Sequence, residues 1–231
     1  MKKIALIISM VAVFTIGGYT QEKPISFGLK FGPNISWAGS GSTSVRSDNP
    51  RLGFAVGGVV DHYITPHVAV SSGLNFNWMR MDYTFDDYRI ATDFLEEAKV
   101  PVSRRFKGAY VELPLKLKAK VEVIDSWQAY VEAGVGFSYN FSDKGKDTFN
   151  DPFGRVYEDL SYQDYGYQYR AVQTALNFGL GAMYEVNSKF NLFAQITVNN
   201  ALSNSFNKTT ERQAGSIIRT NFIGLEVGIC N

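Results

Sequence analysis

Apolar and polar residues alternate one for one along most of this chain. From Ile25 to Trp37 the odd positions read Ile25, Phe27, Leu29, Phe31, Pro33, Ile35 and Trp37, and the even ones Ser26, Gly28, Lys30, Gly32, Asn34 and Ser36. A period of two sends successive side chains to opposite faces of an extended chain, so this run predicts a β-strand with one apolar and one polar face. The same period returns over Leu52 to Val60, Val68 to Trp78, Val111 to Val121, Trp127 to Phe141, Ala171 to Val186, Phe190 to Asn199 and Ile218 to Cys230. It is clearest where Val111, Leu113, Leu115, Leu117, Ala119 and Val121 alternate with Glu112, Pro114, Lys116, Lys118 and Lys120, an order that no helical period reproduces. Eight strands are expected. Their links cover residues 39–50, 62–67, 82–105, 122–126, 142–170, 187–189 and 202–216, so long and short links alternate throughout. In an up-and-down meander every second link lies at the same end. One rim therefore carries four long loops, and the other carries three tight turns.

Alternation alone does not say which face points inward, because a soluble eight-stranded barrel alternates with its apolar set inside. Two features select the membrane. The three tryptophans, Trp37, Trp78 and Trp127, fall on the apolar face at strand ends, with Tyr139 at a loop-side end and Tyr184 beside a short turn. Aromatics at both edges of an apolar band are expected to form girdles at the two membrane interfaces. The polar set mixes glycines with Lys30, Glu112, Lys116, Lys118, Lys120, Gln128, Glu132, Glu185 and Glu226. Opposed charges and small residues suit a narrow lumen in which long side chains pair. The predicted fold is all-β, an eight-stranded antiparallel up-and-down transmembrane β-barrel with four long extracellular loops and three short periplasmic turns. Eight strands leave an interior just wide enough for side chains to fill it. A lumen plugged by ion pairs is therefore expected, with a small-solute pore as the alternative.

The N-terminus reads differently. Lys2 and Lys3 precede an apolar run from Ile4 to Ile16 and then small and polar residues, the order of a secretory signal peptide and too short a run to span a bilayer as a helix. Residues 1–20 are expected to be this signal, and residues 21–231 the barrel domain. Composition narrows the chemistry. The whole chain has 23 basic and 22 acidic residues, which gives no basic excess for nucleic acid. Its one cysteine, Cys230, allows no internal disulfide, and its two histidines, His62 and His67, both fall on a predicted periplasmic turn. No catalytic residue, metal or cofactor is expected.

The segment Tyr110-Val111-Glu112-Leu113-Pro114-Leu115-Lys116-Leu117-Lys118 resembles the Y-[LIV]-E-[LIV]-P-[LIF]-x-[LF]-K signature of the PorT-like outer-membrane β-barrel family, also called the porin-family outer-membrane beta-barrel domain. Gly28 to Asn34 is similar to that family's first strand, and Val131 to Gly136 to its fifth. The motif residues matched are Tyr110, Glu112, Pro114 and Lys118. The resemblance implies a bacterial outer-membrane protein, reached through the periplasm, of a kind associated with protein secretion. The chain departs from outer-membrane barrels in ending Gly228-Ile229-Cys230-Asn231, where an aromatic residue is usual.

Three local expectations remain. Proline cannot donate to a β-ladder, so a bulge is predicted at Pro114, turning Glu112 into the lumen toward a lysine. Ala91 to Lys99 suits a short helix, with Asp93 near its start and Lys99 at its end. The third long loop is rich in tyrosine, with Tyr157, Tyr162, Tyr165, Tyr167 and Tyr169 as a candidate binding surface, since tyrosine offers large contact area at low entropic cost. The expected partners are outer-membrane lipids and lipopolysaccharide, and a protein of the cell envelope.

Overall fold

The computed structural model describes residues 25–41, 45–90, 97–150, 156–158, 163–164, 169–206 and 217–231. The expected signal segment lies outside them, as do Tyr162, Tyr165 and Tyr167. Among the described residues ten strands follow one another: β1 (Ile25–Ser40), β2 (Val45–Thr65), β3 (Val68–Ile90), β4 (Glu97–Ile124), β5 (Trp127–Asn150), β6 (Val156–Glu158), β7 (Gln163–Asp164), β8 (Val172–Asn187), β9 (Phe190–Ala201) and β10 (Ile218–Cys230). Eight of them, all but β6 and β7, form a ring in which each strand runs antiparallel to both neighbours. The ring closes where β1 pairs with β10. There Asn231 Oδ1 accepts the Phe27 N–H at 2.7 Å, and the Asn231 N–H donates to the Phe27 carbonyl at 3.1 Å. The short strands β6 and β7 pair with the far part of β5.

All three short links are two-residue turns, tighter than the sequence suggested: Pro66-His67, Asp125-Ser126 and Ser188-Lys189. Side chains build them. Thr65 Oγ1 accepts the Val68 N–H at 3.0 Å, and Asn187 Oδ1 accepts those of Lys189 and Phe190 at 2.9 and 3.0 Å. Ser126 takes a left-handed φ of 69°, which turns tolerate in small polar residues.

Burial is inverted relative to a soluble barrel. Leu29, Leu115, Leu180 and Leu225 are 52–70% exposed on the outside, while Lys30, Lys116, Glu132 and Glu226 are 4–6% exposed within. An apolar surface this continuous needs a lipid solvent. The outward apolar run covers about nine to eleven residues per strand, for instance Phe27 to Ile35 and Val131 to Phe141, the length a tilted transmembrane strand requires.

Three strands continue far past that band: β3 has 23 residues, β4 28 and β5 24. On β3 the outward residues Leu74, Phe76 and Trp78 are exposed, and inward Asn75 and Asn77 are buried. Beyond Trp78 the faces keep their directions but exchange character. Met79, Met81, Tyr83 and Phe85 point inward and are buried, while Arg80, Asp82 and Thr84 point outward. On β4 the exchange falls at Tyr110, with Phe106 and Val102 inside and Lys107, Arg105 and Ser103 outside. Below the exchange the chain obeys the membrane pattern and above it the soluble one. The membrane surface therefore lies at this level.

The stretch read from sequence as a 24-residue loop is thus largely paired strand, with the β3–β4 ladder running to Ile90 and Glu97. Residues 97–99 of the expected helix are in β4, and residues 91–96 lie outside the described residues. The predicted bulge at Pro114 is also corrected. Pairing of β4 with β5 runs straight through Pro114 and Gly136, and pairing with β3 lapses at Gly73 and Leu74 but resumes in the same register. Gly73 is the residue opposite the proline, and a Cβ there would meet the Gly58 carbonyl. The missing donor is absorbed by leaving one rung unmade, with Ser72 Oγ donating to the Pro114 carbonyl at 2.8 Å. A register shift occurs instead at Ala109 and Tyr110, where Phe141 is the extra residue on β5. It leaves both Asn140 and Asp143 facing inward.

Candidate functional site

The lumen holds the concentrated chemistry, and it is stacked in tiers. Nearest the turns, Lys118 Nζ pairs with Asp61 at 2.7 Å and lies 4.4 Å from the centre of the Tyr130 ring. Lys120 is half-buried at the rim, 4.4 Å from the centre of the Tyr63 ring. In the middle tier Lys116 pairs with Glu132, and Lys30 pairs with Glu226 at 2.8 Å. Gln195 crosslinks these tiers, its amide donating to Glu226 at 2.5 Å while its carbonyl accepts the Tyr130 hydroxyl at 2.9 Å. Glycines make the room. A Cβ at Gly136 would lie 2.6 Å from Asn177 Nδ2, and one at Gly179 2.5 Å from Glu132 Cγ.

Glu112 occupies the tier above. It faces the lumen as expected, but its partners are amides and not a lysine. Asn177 and Asn199 donate to Oε1 at 2.7 and 3.2 Å, and Asn77 donates to Oε2 at 3.1 Å. Donors from three strands satisfy one carboxylate, which a buried acidic group needs in the absence of a cation.

Above the membrane level an aromatic lid closes the ring. Arg104, within the link predicted over residues 82–105, points inward. Its guanidinium makes a two-pronged contact with Asp147 at 2.6 and 2.7 Å and lies 4.9 Å from the centre of the Phe85 ring. Tyr169 corrects the binding-surface expectation. It is 3% exposed, its ring centre is 4.8 Å from that of Phe106 and 5.4 Å from that of Phe206, and its hydroxyl bonds that of Tyr83. The apolar inward face above Trp78 requires a filler, and Tyr169 supplies it. Tyr157 falls in β6, which pairs with β5; its side chain, like those of Tyr162, Tyr165 and Tyr167, is outside the described residues.

Of the predicted lumen charges, Lys30, Glu112, Lys116, Lys118 and Glu132 are buried inside. Glu185 is corrected: it is exposed opposite Asn191, one pair short of the Asn187–Phe190 pair that closes the Ser188-Lys189 turn, where water solvates the carboxylate. Asp61, which the predicted lumen set did not include, is the buried partner of Lys118. Of the aromatic residues, Trp78, Trp127, Tyr139 and Tyr184 are exposed on the outer wall and Trp37 is half-buried on it. Trp127 packs tilted against Tyr184 with ring centres 5.0 Å apart, and Phe54 stacks on Trp78 at 6.0 Å.

One titratable group stands just above the membrane level. Burial pushes the Asp143 carboxyl up to about 7, with the Asn140 amide lowering it and the Asp164 charge adding to the rise. A carboxyl whose folded value lies above its unfolded one stabilises the fold when protonated, and that contribution is lost as pH rises through about 7. The refolded protein is expected to show a falling urea midpoint between mildly acidic and mildly alkaline pH, and Asp143→Asn is expected to flatten that slope. An unchanged slope in the variant would assign the pH dependence to another group.

The sequence profile of the outer membrane protein beta-barrel domain matches residues 19–207. No curated protein matches the chain. Among solved structures, the chain is similar to Neisserial surface protein A, with 12% identity, coverage of 88% of this chain and 95% of that one, and a TM-score of 0.45. It is also similar to OprG from Pseudomonas aeruginosa, with 13% identity, coverage of 90% and 95%, and a TM-score of 0.38. The outer membrane protease OmpT from Escherichia coli has 11% identity, coverage of 91% and 98%, and a TM-score of 0.40. These likenesses carry no inference about activity. The match over most of the chain, together with the closed ring and its apolar outer band, makes this a bacterial outer-membrane protein of the outer membrane protein beta-barrel domain family.

Proposed function

We propose that this barrel is a non-conducting, non-enzymatic component of the outer membrane that works through its surface, as an accessory in secretion or envelope assembly or as a binding protein. The observation that carries this reading is the filled lumen. Three buried ion pairs, an amide-bound carboxylate and an aromatic lid occupy the axis from the turns to the outer end. An ion traversing that path would have to separate charge pairs whose side chains are no more than 7% exposed, in an interior of low dielectric. The resemblance of Tyr110 to Lys118 to the PorT-like signature supports a secretion or assembly role in particular. Its partners on this reading are a protein of the envelope and the outer-membrane lipids and lipopolysaccharide around the wall.

The test has two arms. The purified protein in a planar bilayer is expected to give no stepwise conductance, and steady single-channel steps would establish the small-solute pore instead. Mild crosslinking in native outer membranes, followed by mass spectrometry, is expected to recover one envelope protein at near-stoichiometric yield. Recovery of the barrel alone would sink the accessory role.

A further inference from the structure

The register shift at Ala109 and Tyr110 builds a polar chamber beneath the aromatic lid. With Phe141 as the extra residue, Asn140 and Asp143 both turn inward, and Asp143 stands directly across from Gly108. Bulges re-aim side chains in this way. Gly108 leaves space for its neighbours, since a Cβ there would lie 2.6 Å from Tyr110 Cε2 and 2.7 Å from Phe106 Cε1. The Tyr110 ring therefore lies over Gly108, beside the carboxyl that the bulge has turned in. Pairing of β5 with β8 ends just here, at Tyr139 and Val172, and β5 continues upward without that neighbour. Gln173 of β8 and Thr220 of β10 are buried at the same level, joined by Ser205, whose Oγ lies 3.2 Å from both Gln173 Oε1 and Thr220 Oγ1. The Tyr110 hydroxyl is close to Gln173 and Thr220 and faces the Asp143 charge.

Part of this chamber is satisfied internally. The Asn140 amide donates to Asp143 Oδ2, and Asn140 Oδ1 accepts the Ser142 N–H at 3.3 Å. Three atoms make no aligned hydrogen bond with any protein group: Tyr110 Oη, Asp143 Oδ1 and Gln173 Nε2. Their residues are 1%, 3% and 5% exposed. A buried polar atom left alone forfeits its hydration for nothing, and native interiors pair such atoms with protein or with ordered water.

We infer that Tyr110, Asp143 and Gln173 together bind one ordered water molecule, which bridges β4 and β5 to β8 where the shorter strand ends. The chemistry of the three atoms selects water over an ion. The amide nitrogen can only donate, an ionised carboxylate can only accept, and a phenol does either. A metal cation would meet the amide N–H, and an anion would meet the carboxylate. Water accepts from the amide, donates to the carboxylate, and turns to accept when the carboxyl carries a proton. Three partners is the usual number for a buried water. The site also gives a use to the hydroxyl of Tyr110, the first residue of the Tyr110 to Lys118 motif, which a phenylalanine there would lack. It concerns the closed upper end of the lumen and goes beyond the role proposed for the outer surface.

Tyr110→Phe removes a single oxygen that bonds no protein atom, so the sign of its effect reads the site. The backbone beside Gln173 supplies the reporter: the Arg170 N–H donates to the Ser205 carbonyl at 2.8 Å, and the Ser205 N–H to that of Ile218 at 2.7 Å. In the refolded protein in detergent micelles, Tyr110→Phe is expected to speed deuterium exchange at these two amides about tenfold, the loss of one net hydrogen bond. Unchanged or slower exchange would mean that a stranded hydroxyl had been relieved, and would overturn the site. Tyr139→Phe, which removes a hydroxyl from the outer wall, is expected to leave both rates alone, and an equal rise there would overturn the site as well. A high-resolution crystal structure gives the second reading. Density within about 2.6–3.2 Å of all three atoms is expected in the wild type and lost in Tyr110→Phe. No density at that position would overturn the inference, and so would a species held at about 2.4 Å, the spacing of a metal cation to oxygen.

Discussion

Replacing Glu132 with leucine is expected to destabilise the barrel by about 3–5 kcal/mol, and adding Lys116→Met to the same chain is expected to restore most of that loss. Lys116 and Glu132 pair inside the lumen with side chains 5% and 2% exposed. Removing the acid alone leaves the Lys116 ammonium without its paired carboxylate at a position from which water is largely excluded. Removing both charges leaves two apolar side chains of similar volume, so the desolvation cost disappears with the attraction. The measurement is a double-mutant cycle from reversible urea unfolding in lipid vesicles. Additive losses would show that the pair is not an energetic unit, and the middle tier would then owe its order to packing alone.

The second large effect lies on the outer wall. Leu115→Arg is expected to cost about 2–4 kcal/mol, as charge does near the middle of a barrel's lipid-facing band. Leu115 is 52% exposed and pairs with Ser72 and Val135 in the central part of that band. Ser103→Arg, on the same strand and the same outward face, is expected to stay within about 0.5 kcal/mol of the wild type, as exposed surface substitutions usually do. The two residues differ only in which side of the Tyr110 exchange they occupy. Equal penalties would move the membrane surface outward to include Ser103.

Much of the architecture was legible because period-two alternation is a direct trace of the pleat. The eight strands, the three tight turns and the outward Trp78, Trp127, Tyr139 and Tyr184 all follow from it. The extension beyond the membrane is not marked by outward apolar residues, which stop at the membrane edge. Met79, Met81, Tyr83 and Phe85 continue the same alternation with the faces exchanged, and two consecutive apolar residues, Trp78 and Met79, mark the change. The lumen residues were identifiable but their pairings were not. Lys30 meets Glu226 across 196 positions, and Lys118 meets Asp61 across 57, contacts that depend on how the ring closes and staggers. Tyr169 could not be separated from its neighbouring tyrosines by composition, since what packs on it is Tyr83 and Phe106, far earlier in the chain, and Phe206, after it.

The aromatic lid bears on how this protein meets anything outside the cell. Free loops must be frozen when a partner binds, and each immobilised side chain subtracts from affinity. Here β3, β4 and β5 rise from the bilayer as hydrogen-bonded sheet, held from within by Tyr83, Phe85, Phe106, Tyr169 and Phe206. The wall of that collar is already ordered. A ligand that landed on it would meet a rigid template, so its affinity would reflect the contacts made and little of it would be spent on ordering the receptor.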